Sequence, residues 1–403
     1  MMLGGINIKV DNLLNALKSI PQENLKELAV VSRNGKIIKG KIELIATYKI
    51  ERYEIDEALS FIGANFEDLG YNFGIITINV KDINKISKIP GIDEIELPRT
   101  IYFDEANYDY KALSNDNESN SIIGFITSGI SYNHPEFIDD KGESKLDYIY
   151  DLSQKGKMWD KNDINKALKS QNPMKILHHR DDLGYGNFMV KNVLKNTRGK
   201  RPIIMVKVTP GKNIVHTKST LIMKGIKYLI DKKGELKKQL IIYSAFNDKY
   251  NFSYKDSLFS QYIDMIIEKE GIKFILEKQS NTDKVYFKRG KINKFQSIPF
   301  HIRPRKGNVT LQLHKEFLNN YILEIVNPLG KTSGLIELSK GYTDGYIGEN
   351  KYHIYDTGPK SYNINGEIII SIVLNEDVID EGQWKLNIVC KDEYRGIYAL
   401  SFV

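Results

Sequence analysis

The chain is poor in the residues that staple, span or stiffen. It has one cysteine, two tryptophans and eleven prolines in 403 residues. A single cysteine excludes an intrachain disulfide, so the fold must be held by packing. Cys390 lies in the strand-like run Trp384 to Cys390, where a small buried hydrophobe is its expected role. No apolar run approaches the ~20 residues needed to span a bilayer. The opening MMLGGINIKVDNLL lacks a charged region followed by a long apolar core. No signal peptide is therefore visible, and synthesis in the cytosol is expected. Charge is nearly balanced: 58 Lys+Arg against 51 Asp+Glu give +7, and the lysines are scattered. That pattern argues against a nucleic-acid surface.

Hydrophobic content is 41% and charged content 27%, which fits folded domains. The length predicts two or three of them. Residues 1–105 read as a small α+β unit. Its strands are expected at 28–32, 41–48, 74–80 and 92–97, with a helix over 56–62 and an amphipathic helix over 81–89 closed by Pro90-Gly91. Residues 106–120 form a linker that includes most of the polar run SNDNESNS, Ser114 to Ser121. Residues 121–294 alternate short apolar strands with amphipathic helices, the pattern of a buried parallel sheet. Residues 295–403 carry short alternating runs and turns such as Asn327-Pro-Leu-Gly330, the pattern of a β-sandwich of jelly-roll type.

The run Ile122 to Phe137, IIGFITSGISYNHPEF, resembles the active-site strand of subtilisin-like serine proteases. Ser128, Gly129, Ile130, His134, Pro135, Glu136 and Phe137 match that frame, and Thr127 stands where the family has its catalytic aspartate. Asp181-Asp182-Leu183-Gly184-Tyr185-Gly186-Asn187-Phe188 matches the helix start that carries the family's histidine. Gly184 and Gly186 stay in frame, with Tyr185 at the base position. Threonine has no anionic charge to orient an imidazolium, and a phenol titrating near ~10 is a poor base near neutrality. Leu240 to Phe246 resembles the family's cleft strand, with Ser244 in place and Phe246 where a glycine is usual. Lys278 or Gln279 falls near the oxyanion-hole position. The nucleophile motif Gly-Thr-Ser with its small-residue helix is absent, and Gly330-Lys331-Thr332-Ser333 is no substitute among sandwich strands.

The order of these motifs is similar to the germination-associated Csp proteases of anaerobic spore-formers. The resemblance implies a retained ferredoxin-like propeptide on residues 1–105. Its tail, through Ile95, Glu96, Leu97, Pro98, Tyr102 and Phe103, would lie in the cleft. It also implies an inserted jelly roll, and a subtilisin-like sheet left incomplete at its C-terminal side with a large apolar face unprotected. The family's partners are an active sister protease or pseudoprotease and the zymogen of a cortex-lytic enzyme, and the expected location is the spore. The expected function is that of an inactive pseudoprotease with a regulatory binding role, without cofactor or metal. One alternative is a serine endopeptidase completed in trans by a partner chain that supplies the missing segment. Another is a jelly-roll ligand or carbohydrate module using Trp384, Tyr342, Tyr346 and Tyr352. His178-His179 beside Asp181 and Asp182 reads as a solvated loop rather than a metal site. His134 and Ser128 read as structural groups of the turn and strand end.

Overall fold

The computed structural model describes residues 32–33, 36–37, 40–102, 121–154, 156–196, 201–209, 211, 216–247, 257–277, 287–292, 294–302, 309–315, 320–338, 341–356, 366–373, 380–391 and 396–402. In the N-terminal unit, β1 (Ser32–Arg33) and β2 (Lys36–Ile37) form a short ladder. They precede β3 (Lys41–Tyr48), α1 (Arg52–Phe61), β4 (Asn65–Gly70), β5 (Phe73–Asn79), β6 (Ile92–Glu96) and β7 (Thr100–Tyr102). An antiparallel sheet of order β4-β5-β3-β6 results. Both of its faces are buried. Ile42, Leu44 and Ala46 lie under Ile55 and Leu59 of α1, whereas Ile45, Phe73 and Ile75 join the core of the neighbouring α/β unit.

Four differences from the sequence reading concern this unit. The first strand expected at 28–32 falls outside the described residues except for Ser32. The helix expected over 56–62 begins four residues earlier, at Arg52. The expected amphipathic helix is present as a 3-10 run, Val80–Lys88. Its buried Ile83 and Ile86, with Ile89 beyond, recur every third residue, and that spacing lines up on one face of a helix with three residues per turn. β4 was missed because NFEDLG alternates weakly. The β4–β5 turn puts Tyr71 (φ 55°) and Asn72 (φ 63°) in the left-handed region, as a two-residue hairpin turn requires. For a tyrosine this costs on the order of 1 kcal/mol, and the Tyr71 hydroxyl bonds Glu270 of the next unit.

The α/β unit contains β8 (Ser121–Thr127), β9 (Tyr148–Asp151), β10 (Lys157–Asp160), α2 (Lys161–Leu168), α3 (Pro173–Ile176), α4 (Tyr185–Asn196), β11 (Ile203–Lys207), β12 (His216–Lys218), α5 (Ser219–Leu236), β13 (Gln239–Asn247), α6 (Leu258–Glu270) and β14 (Lys273–Glu277). The sheet order is β10-β9-β11-β8-β13-β14, parallel apart from β10. Every residue of β8 is buried, as expected for a central strand covered on both faces. α5 packs so closely that a Cβ on Gly124 would lie 2.8 Å from Leu229. The expected unprotected apolar face is not seen among the described residues. Ile123, Phe125, Ile241 and Tyr243 are at most 2% exposed, with α4 supplying Met189, Val190 and Val193 to the same core.

The C-terminal unit is built from β15 (Phe287–Ile292), β16 (Phe295–Ile302), β17 (Val309–Lys315), β18 (Tyr321–Val326), β19 (Ile336–Glu337), β20 (Gly341–Ile347), β21 (Asn350–Asp356), β22 (Gly366–Val373), β23 (Gly382–Cys390) and β24 (Gly396–Phe402). Two antiparallel sheets, β15-β24-β17-β22-β21-β20 and β16-β23-β18-β19, enclose a core around fully buried Trp384. β15 pairs with β24, so this unit starts by residue 287 rather than at 295. Tyr355 joins the hydrophobic cluster of the N-terminal unit, with Tyr342 and Ile369 packed against it. Cys390 is buried and in no disulfide. The proposed sugar platform does not form, because Trp384 is fully buried and Tyr352 is only 5% exposed, while Tyr346 is 61% exposed.

Gly234 lies inside α5, and a methyl added there would meet nothing within 4 Å. Gly234→Ala should therefore stabilise the protein by about 0.5–1 kcal/mol, read as a higher urea midpoint at unchanged slope.

Candidate functional site

The end of β8 meets the start of α4 through backbone alone. A Cβ on Gly186 would lie 1.7 Å from the carbonyl oxygen of Gly129 and 3.0 Å from Cγ2 of Thr127. Gly129 itself has φ 112°, and a Cβ there would lie 2.4 Å from the carbonyl oxygen of Arg180. Only glycine tolerates both constraints. The contact sets Tyr185, the first residue of α4, beside the strand end that carries Thr127. Gly186, the residue after Tyr185, thus lies against Thr127.

Asp181 organises this junction. Its carboxylate accepts from the backbone N–H groups of Leu183 (3.2 Å), Gly184 (2.9 Å) and Asn187 (2.8 Å), satisfying donors at the start of α4. Ser128 Oγ donates to the same carboxylate at 2.5 Å and accepts from Gly186 N–H at 3.3 Å. Ser128 is thus committed to strand-end hydrogen bonding. Thr127 is fully buried and its Oγ1 has no hydrogen-bond partner among the described residues. Lys207, in register with Thr127 on β11, is 3% exposed. Its ammonium donates to Asp182 Oδ2 at 2.6 Å and to the Arg180 carbonyl at 3.0 Å.

His179 corrects the solvated-loop reading of its histidine pair. His178 is exposed, but the His179 side chain is fully buried and lies 2.6 Å from Asp151 Oδ2 through Nδ1. Ile130 N–H donates to Nε2 at 3.2 Å. That donor leaves Nε2 unprotonated, so Nδ1 holds the single proton and points it at Asp151. A neutral imidazole thereby joins the cleft loop to β9. Burial pushes the Asp151 carboxyl up, but the hydrogen bonds from His179 and Ser153 and the charge of Lys207 outweigh it and leave the carboxyl below its ordinary range. His134 is a turn group, its Nδ1 accepting from Glu136 N–H at 3.4 Å. Among the described residues there is no group of three metal-ligating side chains and no helix long and apolar enough to cross a membrane.

The segment expected in the cleft divides into two parts. Ile95 and Glu96 belong to β6 of the N-terminal sheet. After Leu97-Pro98, β7 pairs antiparallel with β12, Tyr102 opposite His216 and Thr100 opposite Lys218. Arg99 N–H donates to Ser219 Oγ (2.9 Å), and Ser219 N–H returns a bond to the Arg99 carbonyl (2.8 Å). Ile101 is buried in the α/β core. Phe103 and Gln279 lie outside the described residues, and of Phe246 only its place in β13 is described. Ser244 is buried in register with Ile126. Sequence reasoning missed Arg99, Ile101, Ser219 and strand β12. A three-residue strand of sequence HTK carries no periodicity.

Carboxylates carry the rest of this docking. Glu96 accepts from Leu258 N–H at the start of α6 and from Arg99 Nε at 3.1 Å. Glu43 accepts from Thr220 Oγ1 at 2.9 Å at the start of α5. Lys224 lies 3.4 Å from Glu43 and 2.7 Å from Glu67. Negative charge at two helix N-termini is favourable by about 0.3–1 kcal/mol each.

A family model described as the Csp protease B prodomain matches residues 8–99. The structure of the Clostridium perfringens CspB protease matches with a TM-score of 0.60 and 30% identity, over 73% of this chain and 64% of that one. The chain is a Csp-family subtilisin-like protein. Its N-terminal unit is a Csp prodomain, and it spans 64% of the length of the CspB structure. A Bacillus licheniformis lipase, BlEst2 in propeptide form, aligns at 12% identity with a TM-score of 0.20, over 75% of this chain and 78% of that one. No curated protein matches.

Three outcomes follow from the geometry. Gly186→Ala should cost more than ~3 kcal/mol, because its methyl meets backbone. Thr127→Val should be neutral or stabilise by about 1 kcal/mol, since it removes an unsatisfied buried hydroxyl. Thermal melts of the two variants check both. Asp151 supplies stability above the ordinary carboxylate range, and this is lost as pH falls through its lowered folded value. Asp151→Asn should therefore be less stable at neutral pH and lose stability less steeply in acid, measured by urea titration across pH.

Proposed function

We propose that this Csp-family chain is a catalytically inactive pseudoprotease that keeps its prodomain docked and acts by binding other proteins. The observation that carries the reading is the pair Thr127 and Tyr185. At the two positions where the family resemblance places the acid and the base, one side chain is a buried hydroxyl without a hydrogen-bond partner among the described residues and the other is a phenol. Removing one member of such a triad already eliminates most of its rate enhancement. Nearby groups that handle protons are engaged: Ser128 with Asp181, Lys207 with Asp182, His179 with Asp151 and Ile130.

In this reading the β7–β12 pairing occupies the cleft, and the two-sheet unit is a jelly roll packed on the prodomain. The partners are those of the family resemblance: an active sister protease or pseudoprotease, and the zymogen of a cortex-lytic enzyme in the germinating spore. The test is an intact-mass time course of the purified full chain, with fluorophosphonate labelling in parallel. A single uncut mass and no label are expected. A product beginning near Asp104 that forms in the wild type but not in Tyr185→Phe, or stoichiometric labelling, would overturn the reading.

A further inference from the structure

Two helix faces of this chain are exposed, aromatic and opposite in charge. α1 buries Ile55 and Leu59. Its other arc shows Tyr53 at 67% and Phe61 at 93% exposure, among exposed Glu54, Asp56 and Glu57. The one base of the helix, Arg52, is turned toward Asp68 at 3.6 Å. α4 buries Met189, Val190 and Val193 and leaves Phe188 44% exposed. Lys191 and Lys195 fall on the same side of α4 at helical spacing. Glu136, bridged to Lys191, is the one acid paired with this face among the described residues.

The same asymmetry holds on a larger scale. Residues 40–102 carry 11 acidic and 7 basic residues, whereas 121–277 carry 27 basic and 18 acidic ones. Tyr53 and Phe61 share one side of α1 with Glu54 and Glu57 at helical spacing, and charge complementarity selects the partner of such a face. Both halves of such a contact are present in one polypeptide.

We propose that the α1 face of one copy docks on the α4 face of a second copy. Phe61 and Tyr53 pack against Phe188, while Glu54 and Glu57 meet Lys191 and Lys195. When each copy supplies both faces, the contact closes as a two-fold pair. The α4 face adjoins Tyr185, so the second copy covers the approach to the degenerate site from that side.

Sedimentation of the full chain over a concentration series, at low and high salt, tests the proposal. Self-association is expected at low salt and weakens as salt screens the pairs. Phe61→Ser and Phe188→Ser should each weaken it at least about tenfold, near 1.4 kcal/mol. Glu54→Lys with Glu57→Lys should abolish it, as should Lys191→Glu with Lys195→Glu. Mixing those two double variants should restore association, because each then meets a complementary face. Melting temperatures verify that the variants are folded. A monomer at every concentration, association insensitive to both double variants, or failure of the mixture to reassociate overturns the proposal.

Discussion

The contact between the Gly129 carbonyl and the backbone of Gly186 governs the rest of the site. It fixes the end of a central strand against the first turn of a helix with no side chain between them. Every neighbouring arrangement follows from that approach. Asp181 can cap α4 and hold Ser128 at once because strand end and helix start are within one carboxylate's reach. His179 then tethers the outgoing loop at Ile130 to β9. Strand end and helix start are thereby held in one fixed relation.

A second set of forces holds the prodomain on. Apolar burial through Ile45, Phe73, Ile75 and Ile101 merges its sheet with the α/β core. Glu43 and Glu96 add direction by meeting the first turns of α5 and α6. Non-directional burial supplies most of the adhesion, and the two carboxylates select one orientation. On its other side the prodomain's core reaches Tyr355 of the C-terminal unit, so the prodomain has apolar neighbours in both.

Much of this was legible in the sequence because it rests on local pattern. The Gly-x-Gly frame at 184–186 and the Ser-Gly at 128–129 marked a helix start and a strand end by resemblance. The alternation after residue 295 announced two antiparallel sheets. What stayed hidden depends on distant partners. His179 reads as a loop residue until Asp151 and Ile130 arrive from other segments. No local pattern singles out Glu43, or Glu96 as a helix partner, until two helices turn their N-termini toward them. β12 is too short to carry a period, yet it receives β7. The 3-10 form of the helix at 80–88 stayed hidden because three-residue and 3.6-residue spacings agree over so few turns.

The reciprocal hydrogen bonds between Arg99 and Ser219 extend the β7–β12 ladder and join it within three residues of the prodomain sheet. A strand held on so short a leash returns to its groove as if present at about millimolar concentration. Any free peptide seeking the same edge would meet a rival that never diffuses away. In the proposed reading, the edge of β12 therefore filters its visitors by persistence: a passing chain cannot lodge there, whereas a partner that first grips another surface and so gains a leash of its own can compete on equal terms.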